Sequence, residues 1–295
     1  MISYQAVLDH GEKVARSVEQ VKLAARMSER YYSKPLLICY SGGKDSDALL
    51  GIAALAGIDY EVMHSLTTVD APETVKHVRQ TFARLEASGV HCEIRRPEFK
   101  GKPVTMWALI PEKKMPPTRL VRYCCRVLKE TGGAGRAIAT GVRRSESSKR
   151  QGRKFAIKIS KTSSAQIDFE DAASLFNEAD SFIEHDNEFL KACKVRGKTS
   201  FQPLLEWTPN DVWQFIDEQG IEYNPLYDEG WKRIGCVGCP MAGNNTRVKE
   251  FARWPKYEAA YKRAFEKMLE VRKRCGIETQ WANADEVFQW WMGDE

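Results

Sequence analysis

The sequence lacks any long apolar stretch: nowhere do about 18 apolar residues follow one another, as a membrane-spanning helix requires. Residues 1–5 also lack the succession of basic, apolar and small residues that forms a secretory signal peptide. These absences argue against a membrane protein and against a secreted one. We therefore expect a cytoplasmic protein with no membrane partner.

The sequence also lacks a large excess of either positive or negative charge. The net charge is only +5 over 295 residues, with 45 basic and 40 acidic side chains. An excess of this size fits a protein that binds phosphates, and it allows a nucleic-acid partner without requiring one. The length is enough for one large α/β domain or for a core domain with an added subdomain.

Strand and helix patterns alternate along the chain. Apolar residues recur at helical spacing from Leu8 to Tyr31, which predicts a helical lead-in over residues 1–34. Short apolar runs then predict strands at 35–40, 60–64, 91–94 and 137–141. Helices are predicted from Ala48, over 73–85, after an N-cap at Thr208, and over 257–274. The alternation predicts an α/β fold with a doubly wound, mainly parallel sheet and helical additions at both ends.

The segment Ser41-Gly42-Gly43-Lys44-Asp45-Ser46 follows the first predicted strand. Two glycines let the backbone bring its N–H groups close to phosphate oxygens, the next helix presents its positive end, and Lys44 adds a charge. The spacing differs from Walker A, so it does not indicate ordinary γ-phosphate transfer. The alternative is a simple helix-capping turn. The segment resembles the PP-loop of N-type ATP pyrophosphatases, which implies phosphate binding by residues 41–46 and catalytic roles for Lys44 and Asp45.

Four of the eight cysteines form two close pairs, Cys124-Cys125 and Cys236-x-x-Cys239. Four thiolates are the ligand set of a [4Fe–4S] cluster or of a structural zinc ion. Zinc ribbons usually present two Cys-x-x-Cys knuckles, so the adjacent pair favours iron–sulfur. Buried free thiols are the remaining alternative.

With the cysteines included, residues 36–241 resemble the phosphoadenosine phosphosulfate (PAPS) reductase family. The resemblance also rests on Asp70-Ala71-Pro72-Glu73-Thr74, on the Gly-x-Arg-Arg-x-x-Ser element of residues 141–147, and on residues 203–227. It implies an adenine nucleotide alpha hydrolase-like fold and a [4Fe–4S] cluster on the four cysteines. It also implies that ATP, adenylylsulfate or PAPS is bound by the loop together with Gly141, Arg143 and Arg144.

These patterns divide the chain into a PP-loop domain at 35–245 and a helical segment at 246–295. From about 149 to 196 the periodicity weakens and basic residues give way to acidic ones, which predicts a flexible insertion. The basic run from Arg143 to Lys161 could bind a nucleic-acid backbone, but a solvated charged flap is the commoner meaning. The tryptophans at 281, 290 and 291 are expected to be core or interface anchors.

Sulfonucleotide reductases also carry a C-terminal Glu-Cys-Gly-x-His element with a nucleophilic cysteine. The nearest match is Arg274-Cys275-Gly276-Ile277-Glu278, in which both flanking residues differ. Cys275 is catalytic only if the protein is such a reductase. We favour the alternative, in which Cys275-Gly276 ends a helix.

The leading hypothesis is an iron–sulfur enzyme that cleaves ATP to AMP and pyrophosphate while it activates an acceptor, DNA or tRNA, for sulfur insertion. This chemistry resembles DNA phosphorothioation and tRNA thiolation. Mg²⁺ is expected at the pyrophosphate, with Asp45 as a possible ligand, and a cysteine desulfurase is an expected partner. The alternatives are an adenylylsulfate or PAPS reductase served by a thioredoxin-like donor, and a non-catalytic nucleotide-binding subunit with a structural metal.

Overall fold

A computed structural model describes residues 9–147, 150–159, 164–178 and 197–293. The strands are β1 (Leu36–Cys39), β2 (Tyr60–Ser65), β3 (Cys92–Arg95), β4 (Glu98–Phe99), β5 (Lys102–Pro103), β6 (Ala137–Ala139), β7 (Ala156–Ile159), β8 (Ser164–Ile167) and β9 (Lys198–Phe201). The helices are α1 (His10–Tyr32), α2 (Lys44–Ala56), α3 (Pro72–Ala87), α4 (Met106–Lys113), α5 (Phe169–Glu178), α6 (Pro209–Glu218), α7 (Asn244–Arg253), α8 (Pro255–Arg274) and α9 (Ala284–Gly293).

The main sheet has seven strands in the order β3-β2-β1-β6-β9-β7-β8. The pairs β1–β2, β1–β6 and β6–β9 are parallel, whereas β7 runs antiparallel to both β9 and β8. The predicted α/β fold with a mainly parallel sheet is therefore confirmed. Residues 36–38 of β1 are buried, as the continuous apolar run predicts for a strand inside a parallel sheet.

Most predicted elements lie close to where the sequence put them. Thr208 caps α6 by accepting a hydrogen bond from the Asp211 N–H. Helix α2 begins at Lys44, four residues before the expected Ala48, because Gly43 has an extended backbone and acts as its N-cap. The helix N-terminus is consequently part of the segment of residues 41–46.

The antiparallel hairpin β7–β8 and helix α5 were not predicted from the sequence. Both fall in the stretch for which we predicted a flexible insertion, of which residues 149, 160–163 and 179–196 lie outside the described residues. Strand β7 contains Lys158, which is 1% exposed and donates to the Tyr32 hydroxyl over 3.0 Å. A charged residue at a buried strand position conceals the strand from any local pattern.

The chain forms two compact units, each assembled from three segments. The first comprises Met1–His64, His77–Glu93 and Gly133–Tyr227, and the second comprises Ser65–Lys76, Ile94–Gly132 and Asp228–Glu295. In the first unit, α1, α2 and α6 contribute buried apolar residues to the same core as the sheet. In the second, Phe251, Tyr261, Phe265, Phe288 and Trp291 form an aromatic core. Trp291 is thus a core anchor, as predicted.

Within the described part of the chain, every helix is too short or too polar to span a lipid bilayer.

Candidate functional site

The loop of residues 41–46 connects β1 to α2 in the first unit. Gly42 has a φ of 75°, a left-handed conformation that suits glycine, and Gly43 is extended. The Ser46 hydroxyl donates to the Gly43 carbonyl over 2.7 Å and accepts from the N–H groups of Gly43 and Ser41 over 3.2 and 3.3 Å. These bonds hold the loop folded around the positive end of α2.

Two cations share one carboxylate at this end of the helix. Lys44 Nζ lies 3.0 Å from Asp45 Oδ2, and Arg143 Nε lies 2.6 Å from Asp45 Oδ1. Lys44 is 7% exposed and Arg143 is 5% exposed. Glu146 lies 3.9 Å from Arg143 as a second, more distant carboxylate. The two buried cations are the side chains at this helix end that could bind an incoming anion such as a phosphate.

Asp45, the possible Mg²⁺ ligand in the sequence, contacts a cation through each of its oxygens. A carboxylate oxygen has more than one lone pair, so these contacts leave lone pairs for a metal ion, and the Mg²⁺ role of Asp45 stays a prediction.

Gly141 is required by packing against the start of α2. A Cβ at this position would lie 2.7 Å from the Asp45 carbonyl oxygen and 2.9 Å from its carbonyl carbon. Both are backbone atoms, so a larger residue would push the loop and the helix apart. The structure thereby brings Gly141 and Arg143 to the loop, as the family resemblance implies.

Arg144 is engaged elsewhere. Its guanidinium donates to the Arg153 carbonyl over 2.9 Å and pairs with Glu206, while its N–H donates to the Leu205 carbonyl. These contacts stabilise the segment after β6, and none of them involves residues 41–46. Its predicted role in nucleotide binding stays a prediction.

Asn224 and Tyr227 hold the loop from a distant part of the sequence. The buried Asn224 side chain donates to the Gly42 carbonyl over 3.1 Å, and the Tyr227 hydroxyl accepts from the Lys44 N–H over 3.1 Å. Burial raises the pKa of Tyr227, so this hydroxyl stays protonated. We did not predict either residue as part of the site, although both belong to the Asn-Pro-Leu-Tyr run that supported the family resemblance.

Asp47 fixes α2 from beneath the loop. Its Oδ1 accepts from the Tyr40 hydroxyl over 2.5 Å and lies 3.1 Å from His77 Nε2. Asp47 is 2% exposed and His77 is 4% exposed. Burial and the Asp47 charge both raise the pKa of Tyr40, which keeps it a hydrogen-bond donor to the carboxylate.

The four paired cysteines all lie in the second unit. Cys124 and Cys125 stand at the start of a π-helical turn, Cys125–Lys129, and Cys236 forms a β-bridge with Asp70. Between Cys236 and Cys239 the chain turns at Gly238, which has a φ of 73°. A Cβ at Gly238 would lie 2.6 Å from the Phe251 ring and 3.0 Å from the Tyr261 ring, so the turn is pressed against the aromatic core.

The electrostatics show that these thiols are close to one another. A hydrogen bond with Cys125, together with burial and the charges of Cys236 and Cys239, raises the pKa of Cys124. The same bond lowers the pKa of Cys125 to about 5, with help from Arg122, whose Nη2 lies 3.4 Å from its sulfur. Burial raises the pKa of Cys236 to about 11, against the opposing charge of Lys129.

Four cysteines are the residue types that ligate an iron–sulfur cluster. Two cations near them, Arg122 and Lys129, would offset the negative charge of thiolate ligands. Among the residues that the structure describes, however, no group of three or more His, Cys, Asp or Glu is arranged to hold a metal ion. The thiols lie near one another without a ligand geometry, so the cluster on these cysteines stays a prediction.

Cys275 ends α8 in the way that we favoured. The N–H of Gly276 donates to the Lys273 carbonyl over 3.1 Å, and that of Ile277 donates to the Arg272 carbonyl over 3.0 Å. Gly276 has a φ of 65°, so the pattern is a Schellman cap with glycine in the left-handed position. The predicted helix cap is confirmed, and the Cys275 side chain is exposed.

A mainly parallel sheet with a glycine-rich loop between a strand end and a helix N-terminus is the arrangement found in nucleotide-binding α/β folds. The sequence model of the phosphoadenosine phosphosulfate reductase domain matches residues 35–242. This chain belongs to that family, whose members include enzymes.

Individual relatives are distant. An uncharacterised protein of Methanocaldococcus jannaschii is 26% identical over 293 residues, which cover 94% of this chain and 59% of that protein. The chain therefore spans less than two thirds of that relative. An adenosine 5'-phosphosulfate reductase of Anoxybacillus flavithermus is 24% identical, covering 76% of this chain and 80% of the relative. The crystal structure of a PAPS reductase from Candida auris is 18% identical, with a TM-score of 0.43, over 79% of this chain and 97% of that one.

Proposed function

We propose that this protein binds ATP on the loop of residues 41–46, releases pyrophosphate and activates a nucleic-acid acceptor for sulfur insertion. In this reaction an acceptor oxygen attacks the α-phosphorus of ATP and pyrophosphate leaves. A sulfur nucleophile then displaces AMP, which departs with that oxygen. A cytoplasmic cysteine desulfurase is the expected source of the sulfur.

The observation that carries this proposal is the pair of buried cations at the start of α2. Lys44 and Arg143 both contact the Asp45 carboxylate beside the loop. From there they would stabilise negative charge on the leaving pyrophosphate. The loop supplies backbone N–H groups and the positive end of the helix. These groups can bind the phosphates of ATP without the residue spacing of a Walker A motif.

Cys124, Cys125, Cys236 and Cys239 would hold a [4Fe–4S] cluster, which supplies a centre for handling sulfur or electrons. We expect a brown protein after anaerobic purification and loss of iron in Cys236→Ser. The matched control is Cys92→Ser, which lies in the first unit. Stoichiometric zinc without acid-labile sulfide would contradict the cluster.

A second candidate is reduction of adenylylsulfate or PAPS to sulfite. It is supported by the exposed Cys275 thiol and by the similarity to the adenosine 5'-phosphosulfate reductase of Anoxybacillus flavithermus. Against it stands the Schellman cap, because the backbone around Cys275 is tied to the end of α8 rather than left as a mobile arm.

The test is anaerobic turnover on labelled ATP, adenylylsulfate and PAPS, with Mg²⁺ and a thiol reductant, following pyrophosphate and sulfite separately. Pyrophosphate from ATP that increases with DNA or tRNA, and is unchanged in Cys275→Ser, supports the sulfur-insertion reaction. Sulfite from a sulfonucleotide, abolished in Cys275→Ser, supports the reductase. Tight ATP binding with neither pyrophosphate nor sulfite released would support a non-catalytic nucleotide-binding subunit.

A further inference from the structure

Within the described residues of the basic run from Arg143 to Lys161, four cations are each paired with a carboxylate: Arg143 with Asp45, Arg144 with Glu206, Arg150 with Glu146, and Lys154 with Asp168. A cation that already has a carboxylate partner must lose it before it can hold a phosphate. An acceptor site is therefore favoured at cations that lack such partners.

A cleft between α4 and α8 in the second unit contains two of them. It has a volume of about 210 Å³ and is lined by Trp107, Ala260, Arg263, Ala264 and Lys267. In the described part of the chain, neither Arg263 nor Lys267 has a carboxylate within 4.0 Å, although Lys262 beside them pairs with Glu258 and Asp285. Helix α8 carries seven basic and three acidic residues, so the helix as a whole has a net positive charge.

Trp107 forms the aromatic wall of the cleft, and a chain of contacts connects it to the segment that carries Cys236 and Cys239. It is partly buried and packs edge-on against Tyr261, with 5.1 Å between ring centroids. The Tyr261 hydroxyl donates to the carbonyl of Val237, the residue after Cys236, over 3.0 Å. One aromatic ring therefore separates the cleft from the turn that carries two of the four paired cysteines.

We propose that this cleft binds single-stranded nucleic acid, with a base stacked on Trp107 and adjacent phosphates at Arg263 and Lys267. A planar ring beside two cations is the combination that single-strand binding proteins use. The volume is below the roughly 300–1,000 Å³ of sites that enclose a whole small-molecule ligand, and it suits one base of a longer strand. The inference rests on the proposed function, for which it supplies a site that holds the acceptor.

The test is binding of a fluorescent single-stranded DNA and RNA oligonucleotide to the intact chain, followed by anisotropy over a range of salt concentrations without ATP. Trp107→Leu should weaken binding by about 5- to 150-fold, and Trp107→Phe should weaken it less because a ring remains. Arg263→Gln with Lys267→Gln should reduce the slope of log affinity against log salt by about 1.4. Both cations are exposed, so this double variant also serves if Trp107→Leu fails to fold.

Lys249→Gln is the matched control, an exposed cation on α7 of the same unit, and it should bind like the unaltered protein. Equal affinity in all variants would overturn the proposal. So would a polyglutamate peptide that competes equally well, which would make the cleft a site for acidic protein segments. If the protein releases no pyrophosphate from ATP but the variants still lose oligonucleotide binding, the proposed reaction is wrong and the proposed nucleic-acid site is supported.

Discussion

At the scale of single residues, the loop of residues 41–46 depends on the positions of its charged side chains. Asp45 contacts Lys44 and Arg143 at the same time, so it orients both cations. A buried cation in this position interacts with a phosphate more strongly than an exposed one, because less water screens it. Replacing one of these side chains should therefore affect ligand binding more than folding.

Lys44→Met should weaken ATP binding by about 10- to 150-fold, the cost of a lost charged hydrogen bond. Isothermal titration calorimetry measures the affinity directly. Lys34→Met, which removes an exposed charge just before β1, should leave the affinity unchanged. An unaltered affinity in Lys44→Met would mean that the loop is only a helix cap.

Gly141→Ala should destabilise the protein by about 1–3 kcal/mol and weaken ATP binding, because the new methyl group meets the Asp45 backbone at 2.7 Å. Urea unfolding and ATP titration measure the two effects. Gly152→Ala is the control, since a Cβ there meets no atom within 4 Å and Gly152 does not have a left-handed φ. Equal stability of the two variants would show that the α2 start moves freely.

At the scale of elements, the strands and helix ends that depend on local sequence patterns could be predicted from the sequence. Strand β1 is an uninterrupted apolar run between a proline and the glycine pair, and Thr208 is a cap placed directly before its helix. By contrast, the bond from Asn224 to Gly42 joins residues 182 positions apart, which no periodicity reveals. The buried Lys158 of β7 likewise depends on Tyr32 of α1, so a strand with a polar residue inside was missed.

The turn between Cys236 and Cys239 offers an element-scale test. Gly238→Ala should cost about 2–4 kcal/mol, because it combines a left-handed φ of 73° with contacts of 2.6–3.1 Å to three aromatic rings. It should also lower bound iron per protein, measured after anaerobic reconstitution. Gly235→Ala, in the same loop but with open space around it, should retain both stability and iron. A normal iron content in Gly238→Ala would show that cluster binding does not depend on the geometry of this turn.

At the scale of the whole molecule, the two candidate centres belong to different compact units. Residues 41–46 with Gly141 and Arg143 lie in the first, and all four paired cysteines lie in the second. Each unit is built from three separate segments of the chain, so its core forms only when distant segments meet. Nucleotide binding and cluster binding can consequently be measured as separate contributions to stability.

ATP at about 100 times its dissociation constant should stabilise the protein by about 2.7 kcal/mol, which raises the melting temperature by about 5–10 °C. Differential scanning calorimetry of the unaltered protein and of Lys44→Met at the same ATP concentration measures this effect. The variant should show a much smaller increase. GTP should also produce less stabilisation if the site selects adenine, and equal shifts with both nucleotides would argue against that selectivity.

The cap at the end of α8 has a practical consequence. Among the cysteines that the structure describes, only Cys275 is exposed, and its backbone, not its thiol, makes the capping bonds. Because its thiol is exposed, Cys275 should react with a maleimide dye while the helix end keeps its geometry. The chain thus carries a natural labelling handle, from which energy transfer to a fluorophore on an oligonucleotide could be recorded one molecule at a time.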